Sequence, residues 1–317
     1  MALDPAIEVM DKRFYRLVIG NAHIDRLWTG GRWTEGPVYV PASRSLVFSD
    51  IPNDRTLRYC ELTDSVHVFE QPARNQNGHC LDLEGRVVSC EHRGRAVSRI
   101  GHDGRREVLA DAHQGHRLNS PNDVVVKSDG SIWFTDPTYG IDSDYEGDAA
   151  LSEQSGSHVY RIGTPGAPGQ RGDITAVVTD MVRPNGLAFS PDESVLYVCD
   201  TGISHLGKNC PPDLRSYRLS PDGHSIAGEG SVVATCTEGV FDGFRVDDEG
   251  NIWASAGDGV HCLAPDGTLL GKIRIPEVVA NVEFGGLKRN RLYICGTTSL
   301  YAMYVNARAA TRPVPGV

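Results

Sequence analysis

The chain has 317 residues, 40% of them hydrophobic, with 35 glycines and 18 prolines. Its 41 acidic residues against 31 lysines and arginines give a formal charge of −10. Without a Lys/Arg-rich run there is no basic face for nucleic acid or for an anionic membrane, and the many short apolar runs between turn residues favour an all-β chain.

Residues 1–22 read as an N-terminal extension. The opening MALDPAIEVMDKRF carries acids early and lacks the apolar stretch of a secretory signal. The cytoplasm is therefore the expected compartment, with the periplasm left open. Nothing in the chain approaches the roughly 20 apolar residues of a membrane-spanning helix. The stretch HIDRLWTGGRW (23–33) reads as one extra strand that completes the last repeat and closes a ring, which removes exposed sheet edges.

Six similar segments follow. They are EGPVYVPASRSLVFSD from Glu35, NGHCLDLEGRVVSCEH from Asn77, NDVVVKSDGSIWFTDP from Asn122, NGLAFSPDESVLYVCD from Asn185, DGFRVDDEGNIWASAG from Asp242 and NVEFGGLKRNRLYICG from Asn281. Each opens on an acid or a carboxamide, runs through a short alternating strand, turns, and enters a second apolar strand. HVYRI, LRSYRL and VHCL supply third strands. The starts lie 42, 45, 63, 57 and 39 residues apart, the size of a four-stranded propeller blade with insertions in the third and fourth. The expected fold is all-β: a single six-bladed β-propeller over 1–317, with four-stranded blades and a central metal-binding channel. Residues 139–157, YGIDSDYEGDAALSEQSGS, form an acidic insertion without a strand pattern, expected as a loop over one face with a lid as its candidate role. Residues 163–172 read as a turn-rich connection. The eight scattered cysteines show no CxxC spacing, and Cys90, Cys199 and Cys295 sit in apolar runs, as reduced thiols would.

The six starting residues carry the chemistry. The innermost strand of every blade lines the channel, so equivalent positions form a ring. Here that ring is Glu35, Asn77, Asn122, Asn185, Asp242 and Asn281. It offers only oxygen and amide groups and a charge of −2, which suits a hard divalent cation, calcium before magnesium. Asn-Gly and Asp-Gly pairs also mark turns. Six aligned starts that vary among Glu, Asn and Asp favour the cation over that simpler reading. A second set ends the second strands: Asp50, Glu91, Asp136 and Asp200, with Ala256 and Gly296 in the last two blades. Turn capping accounts for the first three, and Asp200 is kept as an additional polar site residue.

The motifs RWTEGP (32–37), SPNDVVVKSDGSIWFTDPTYG (120–140), RPNGLAFSPDESVLYVCDTG (183–202) and FDGFRVDDEGNIWAS (241–255), with NVEFGG…LY (281–293), resemble the gluconolactonase and senescence-marker-protein (regucalcin) family from about residue 14 to 305. The SPND…FTDPTYG form is more like the bacterial gluconolactonases. The resemblance implies a lactonase with one divalent metal held by Glu35, Asn185 and Asp242, and Asn122 touching metal or substrate. Calcium is the expected ion, with Zn²⁺, Mn²⁺ or Mg²⁺ as alternatives. Asp242 is the expected catalytic base, with metal coordination lowering its basicity; Asn122, Asn77 and Asp200 are the expected substrate contacts, and a small lactone is the expected partner. The sugar-binding arginine of the animal branch has no recognisable counterpart; Arg117 is near and reads as a solvated loop residue. There is no G-x-S-x-G nucleophile elbow. His79, His92 and His205 fall near strand ends at the mouth, where one could serve as a base. Two other readings stay open here: a phosphotriesterase on the same scaffold, and a calcium-binding propeller without catalysis.

Overall fold

The computed structural model describes residues 3–164, 172–207, 209–210 and 212–310. Six antiparallel sheets, four of them built wholly of consecutive strands and two joined by an N-terminal strand, account for nearly all its secondary structure. Their innermost strands are Thr34–Val40, Gln76–Leu81, Val124–Val126, Pro184–Phe189, Phe244–Val246 and Val279–Gly285. Each touches the next in that order, and the last returns to the first, so the sheets stand as blades around a central axis.

The ring closes through the N-terminal strand Asp25–Thr29, which pairs antiparallel with Ser299–Tyr304 as the fourth strand of the last blade. A second strand, Ile7–Val9, adds a fifth to the blade that holds Phe244–Val246, pairing with Leu269–Arg274. Residues 1–22 are thus not merely an extension. Phe14 is fully buried and its ring meets Trp253 at 6.0 Å. Three residues are too few to show an alternating pattern, which is why this strand was not legible.

Alternation along each strand sends one set of side chains into the seam between blades. Trp133 and Trp253 occupy matching places in two blades, both fully buried. Their indole nitrogens donate to Ser131 Oγ and Asp247 Oδ2, each at 3.0 Å, so neither is buried unsatisfied. Gly130 and Gly250 close the hairpins beside them with φ of +84° and +85°, a conformation that L side chains resist. Cys90, Cys199 and Cys295 are buried free thiols within the blades.

Residues 139–157 hold one helical turn, Tyr139–Asp142, and no strand. A small hairpin, Ala112–His113 with His116–Arg117, stands outside the blades. Of the connection expected at 163–172, residues 165–171 lie outside the described residues. No helix among the described residues is long and apolar enough to cross a membrane.

Candidate metal centre in the channel

Asn77 and Asn185 sit unpaired where the ladder of their innermost strand shifts, Glu35 and Asn281 border such shifts, and Asn122 and Asp242 come two residues before their strands begin. The ladder shifts between Glu35 and Val38, Gln76 and His79, Pro184 and Leu187, and Val279 and Asn281. An unpaired residue at such a bulge is re-aimed out of the sheet. The adjacent glycines let neighbouring blades close on the axis. A Cβ on Gly36 would lie 1.9 Å from the Asn77 carbonyl oxygen, and one on Gly186 would lie 2.2 Å from that of Asp242. Hydroxyls from the second strands fix the backbone of the ring. Ser49 Oγ donates to the Asn77 carbonyl and Thr135 Oγ1 to the Asn185 carbonyl, both at 2.8 Å. Ser255 Oγ accepts from Asp242 N at 3.1 Å.

Five of the six ring residues line one cavity of about 730 Å³: Glu35, Asn77, Asn122, Asn185 and Asp242. The sixth does not. Asn281 donates from Nδ2 to Glu35 Oε2 at 2.9 Å and accepts from Val282 N at 2.8 Å, so it orients Glu35 from behind. Asp200 also lies outside the lining. Its carboxylate accepts from Val182 N, Arg183 N and Gly202 N at 2.8 to 3.1 Å, which leaves it as a cap for the turn that carries Arg183. Asp50, Glu91 and Asp136 are similarly occupied, by Arg55, by Arg106 and by Asn119 N respectively.

Among the histidines, His79 is bracketed by Ser49 Oγ and Ser89 Oγ, and His92 faces Asn77. Only His205 lines the cavity, bonded to Ser204 Oγ at 2.8 Å. Arg117 is exposed on the small outer hairpin. Residues that the repeat did not single out complete the site. Thr201 accepts from Asn185 Nδ2 at 3.3 Å and meets the Tyr139 hydroxyl. Glu146 and Tyr139 bring the insertion into the lining. Asp123, beside Asn122, is buried under the ring. Tyr139 stood in the FTDPTYG motif and Asp123 in NDVVV, but neither occupies the repeated position.

The electrostatics of this mouth are lopsided. Burial raises the Asp242 carboxyl well above the usual carboxylate range, and the charges of Glu35, Asp123 and Glu146 add to it; a hydrogen bond from Asn185 opposes. Burial likewise raises Glu35, with the Asp123 charge next in effect. Among the described residues that line the cavity, none is lysine or arginine. Two acids therefore face each other with no side-chain counter-charge in the cavity. The Asn185 and Asn122 Oδ1 atoms have no hydrogen-bond partner among the described residues. No three His, Cys, Asp or Glu side chains among the described residues form a metal cluster by themselves. The donor set is instead two carboxylates completed by carboxamides, all oxygen. That set fits a hard divalent cation, whose charge would cancel the repulsion.

The model of the family described as SMP-30/Gluconolactonase/LRE-like region matches residues 33–298. A gluconolactonase of Zymomonas mobilis is 31% identical over 267 residues, covering 76% of this chain and 69% of that protein. A 6-deoxy-6-sulfogluconolactonase of Pseudomonas putida is 36% identical over 273 residues, covering 82% and 81%. Among solved structures, a gluconolactonase from Xanthomonas campestris superposes with a TM-score of 0.85 at 33% identity, over 95% of each chain.

Proposed function

The chain belongs to the SMP-30/gluconolactonase/LRE-like family, and from that premise we propose that it is a sugar lactonase that works with one divalent cation held by Glu35, Asn185 and Asp242, with Asn122 beside them. The observation that carries this reading is the pair of carboxylates, Glu35 buried and Asp242 half-buried, in a cavity whose lining among the described residues holds no lysine or arginine. Related proteins named for gluconolactone and sulfogluconolactone hydrolysis support the substrate class. Calcium is the ion of choice because the donors are oxygen only and belong to different blades, which suits its flexible coordination.

Hydrolysis of a lactone needs water on the ring carbonyl carbon and a proton on the ring oxygen as it leaves. When bound, the cation supplies a Lewis acid beside the carbonyl oxygen and cancels the charge of the two acids. Asp242 takes a proton from the attacking water on a carboxylate oxygen and returns it to the ring oxygen when the carbon–oxygen bond breaks. Without the cation its proton affinity is high, from burial and from the charges of Glu35, Asp123 and Glu146. Asn122, with both amide ends free of protein partners among the described residues, orients the lactone by hydrogen bonds. Tyr139 and Glu146 on the insertion line the cavity wall, so this segment limits water access.

The test is a lactone assay on the purified chain after exhaustive chelation. Hydrolysis of glucono-1,5-lactone is expected to vanish and to return with added Ca²⁺. Full hydrolysis in the chelated protein would contradict the cation, and no hydrolysis of any sugar lactone in the loaded protein would contradict the substrate class.

A further inference from the structure

His92 follows the second strand of its blade, Val87–Glu91, and is fully buried. Its two ring nitrogens face different kinds of partner. Nδ1 lies 3.2 Å from the backbone carbonyl oxygen of Glu146, in the acidic insertion. Nε2 lies 3.3 Å from Asn77 Nδ2. A carbonyl oxygen can only accept, so Nδ1 carries a hydrogen. Burial depresses the ring pKa to about 4, so at neutral pH that is the single ring hydrogen. Nε2 is then an acceptor, and the end of the Asn77 amide that meets it must be the NH₂. The other end, Oδ1, has no hydrogen-bond partner among the described residues, and Asn77 lines the cavity.

We infer that His92 is a positioning residue: in its Nδ1–H form it holds the Asn77 amide with the carbonyl oxygen turned to the cavity, where that oxygen accepts a hydrogen bond from a substrate hydroxyl. The role in turnover rests on the lactonase reading above; the hydrogen-bond polarity does not. Asn77, expected as a substrate contact, is thereby an acceptor toward the sugar.

The insertion locks this relay. A Cβ on Gly140 would fall 2.4 Å from His92 Cβ, so the chain at Gly140 packs directly on the histidine. Gly140 N donates to Ser120 Oγ at 2.9 Å, and Ser120 Oγ donates to the Pro137 carbonyl at 2.7 Å. Ion pairs pin the insertion on both sides, Arg183 to Asp142 at 2.6 Å and Arg93 to Asp148 at 3.0 Å. Seating the insertion and orienting Asn77 are therefore one event. The repeat could not show this, because His92 and Glu146 are 54 residues apart.

Two measurements test it. The first is long-range proton–nitrogen NMR on the full chain labelled at histidine nitrogen, with the His92 signals identified by their loss in H92Q. The expected result is a protonated Nδ1 and a bare Nε2. An Nε2–H ring, or a doubly protonated ring at neutral pH, would overturn the assignment. This spectrum decides the hydrogen-bond polarity whether or not lactone is turned over, so failure of the function and failure of this inference are distinguishable. The second is kinetic. H92F removes both hydrogen bonds and should raise KM about tenfold, the loss of one substrate hydrogen bond, with kcat nearly unchanged. H92Q can donate to Glu146 and accept from Asn77 through its own amide, and should restore most of the affinity. Equal KM in H92F and the unaltered chain, or a fall in kcat alone, would contradict the role.

Discussion

The channel has two mouths, and they treat buried charge in opposite ways. At the far mouth a cavity of about 640 Å³ is walled by Val38, Val124, Val126 and Phe284. Its half-buried acid, Glu283, accepts from Arg245 Nε at 2.9 Å, and the same guanidinium also donates to the Phe244 and Pro37 carbonyls. At the near mouth Asp242 meets the Asn185 amide and other acids, and Glu35 meets the Asn281 amide and the Gly36 N–H, with the Arg245 charge reaching Glu35 only weakly from outside the cavity lining. The same six strands build both ends. At the far mouth the fold supplies Glu283 with an arginine; at the near mouth the cavity lining supplies Glu35 and Asp242 with none.

Breaking the near mouth should cost activity and spare the fold. D242N is expected to lower kcat about 10²–10⁴-fold, the range of a lost general base. The thermal midpoint of the metal-free protein should hold or rise, because one uncompensated charge is gone. E35Q should match it in sign, through loss of the cation. Circular dichroism melts beside lactone kinetics check both, and a large loss of stability in either variant would undo the contrast.

Breaking the far mouth should do the reverse. R245M leaves the half-buried Glu283 without its partner and is expected to cost about 1–3 kcal/mol of stability. Cation affinity should change little, which denaturant unfolding and a calcium titration would show.

The contrast also has a pH signature. Glu35 and Asp242 are raised in the folded state, so the metal-free native chain holds protons that the unfolded chain releases. Their contribution to stability is present below the ordinary glutamate value of 4.5 and is lost as pH climbs toward their folded values. The metal-free protein should therefore weaken from about pH 4.5 upward, and saturating Ca²⁺ should flatten that slope. Melting curves across pH, with and without the ion, measure it. The smallest expected effect is T135V, which frees the Asn185 carbonyl from its hydroxyl and should cost about 1 kcal/mol with a modest rise in KM.

Much of this was legible in the sequence because a propeller repeats itself. Six aligned starts fixed the blade number, and five of those starts line one cavity. The closing strand could be read from 23–33 because its alternation resumes where the last repeat lacks a fourth strand. What escaped was pairing across the fold. Asn281 occupies a ring position but spends its amide on Glu35, 246 residues away in the chain. Asp200 is followed by a polar turn like a site acid, yet three backbone N–H groups consume it. Asp123 and Glu146 gain their meaning only from which charges burial places beside them, and no periodicity encodes that.

Glu35 and Asp242, without a counter-charge in the cavity lining, await one cation. The direct measurement is a calorimetric titration of Ca²⁺ into the chelator-stripped chain, repeated on D242N and R245M. One equivalent should bind to the unaltered chain and to R245M, and none to D242N. Binding of undiminished affinity in D242N, or none in the unaltered chain, would contradict it.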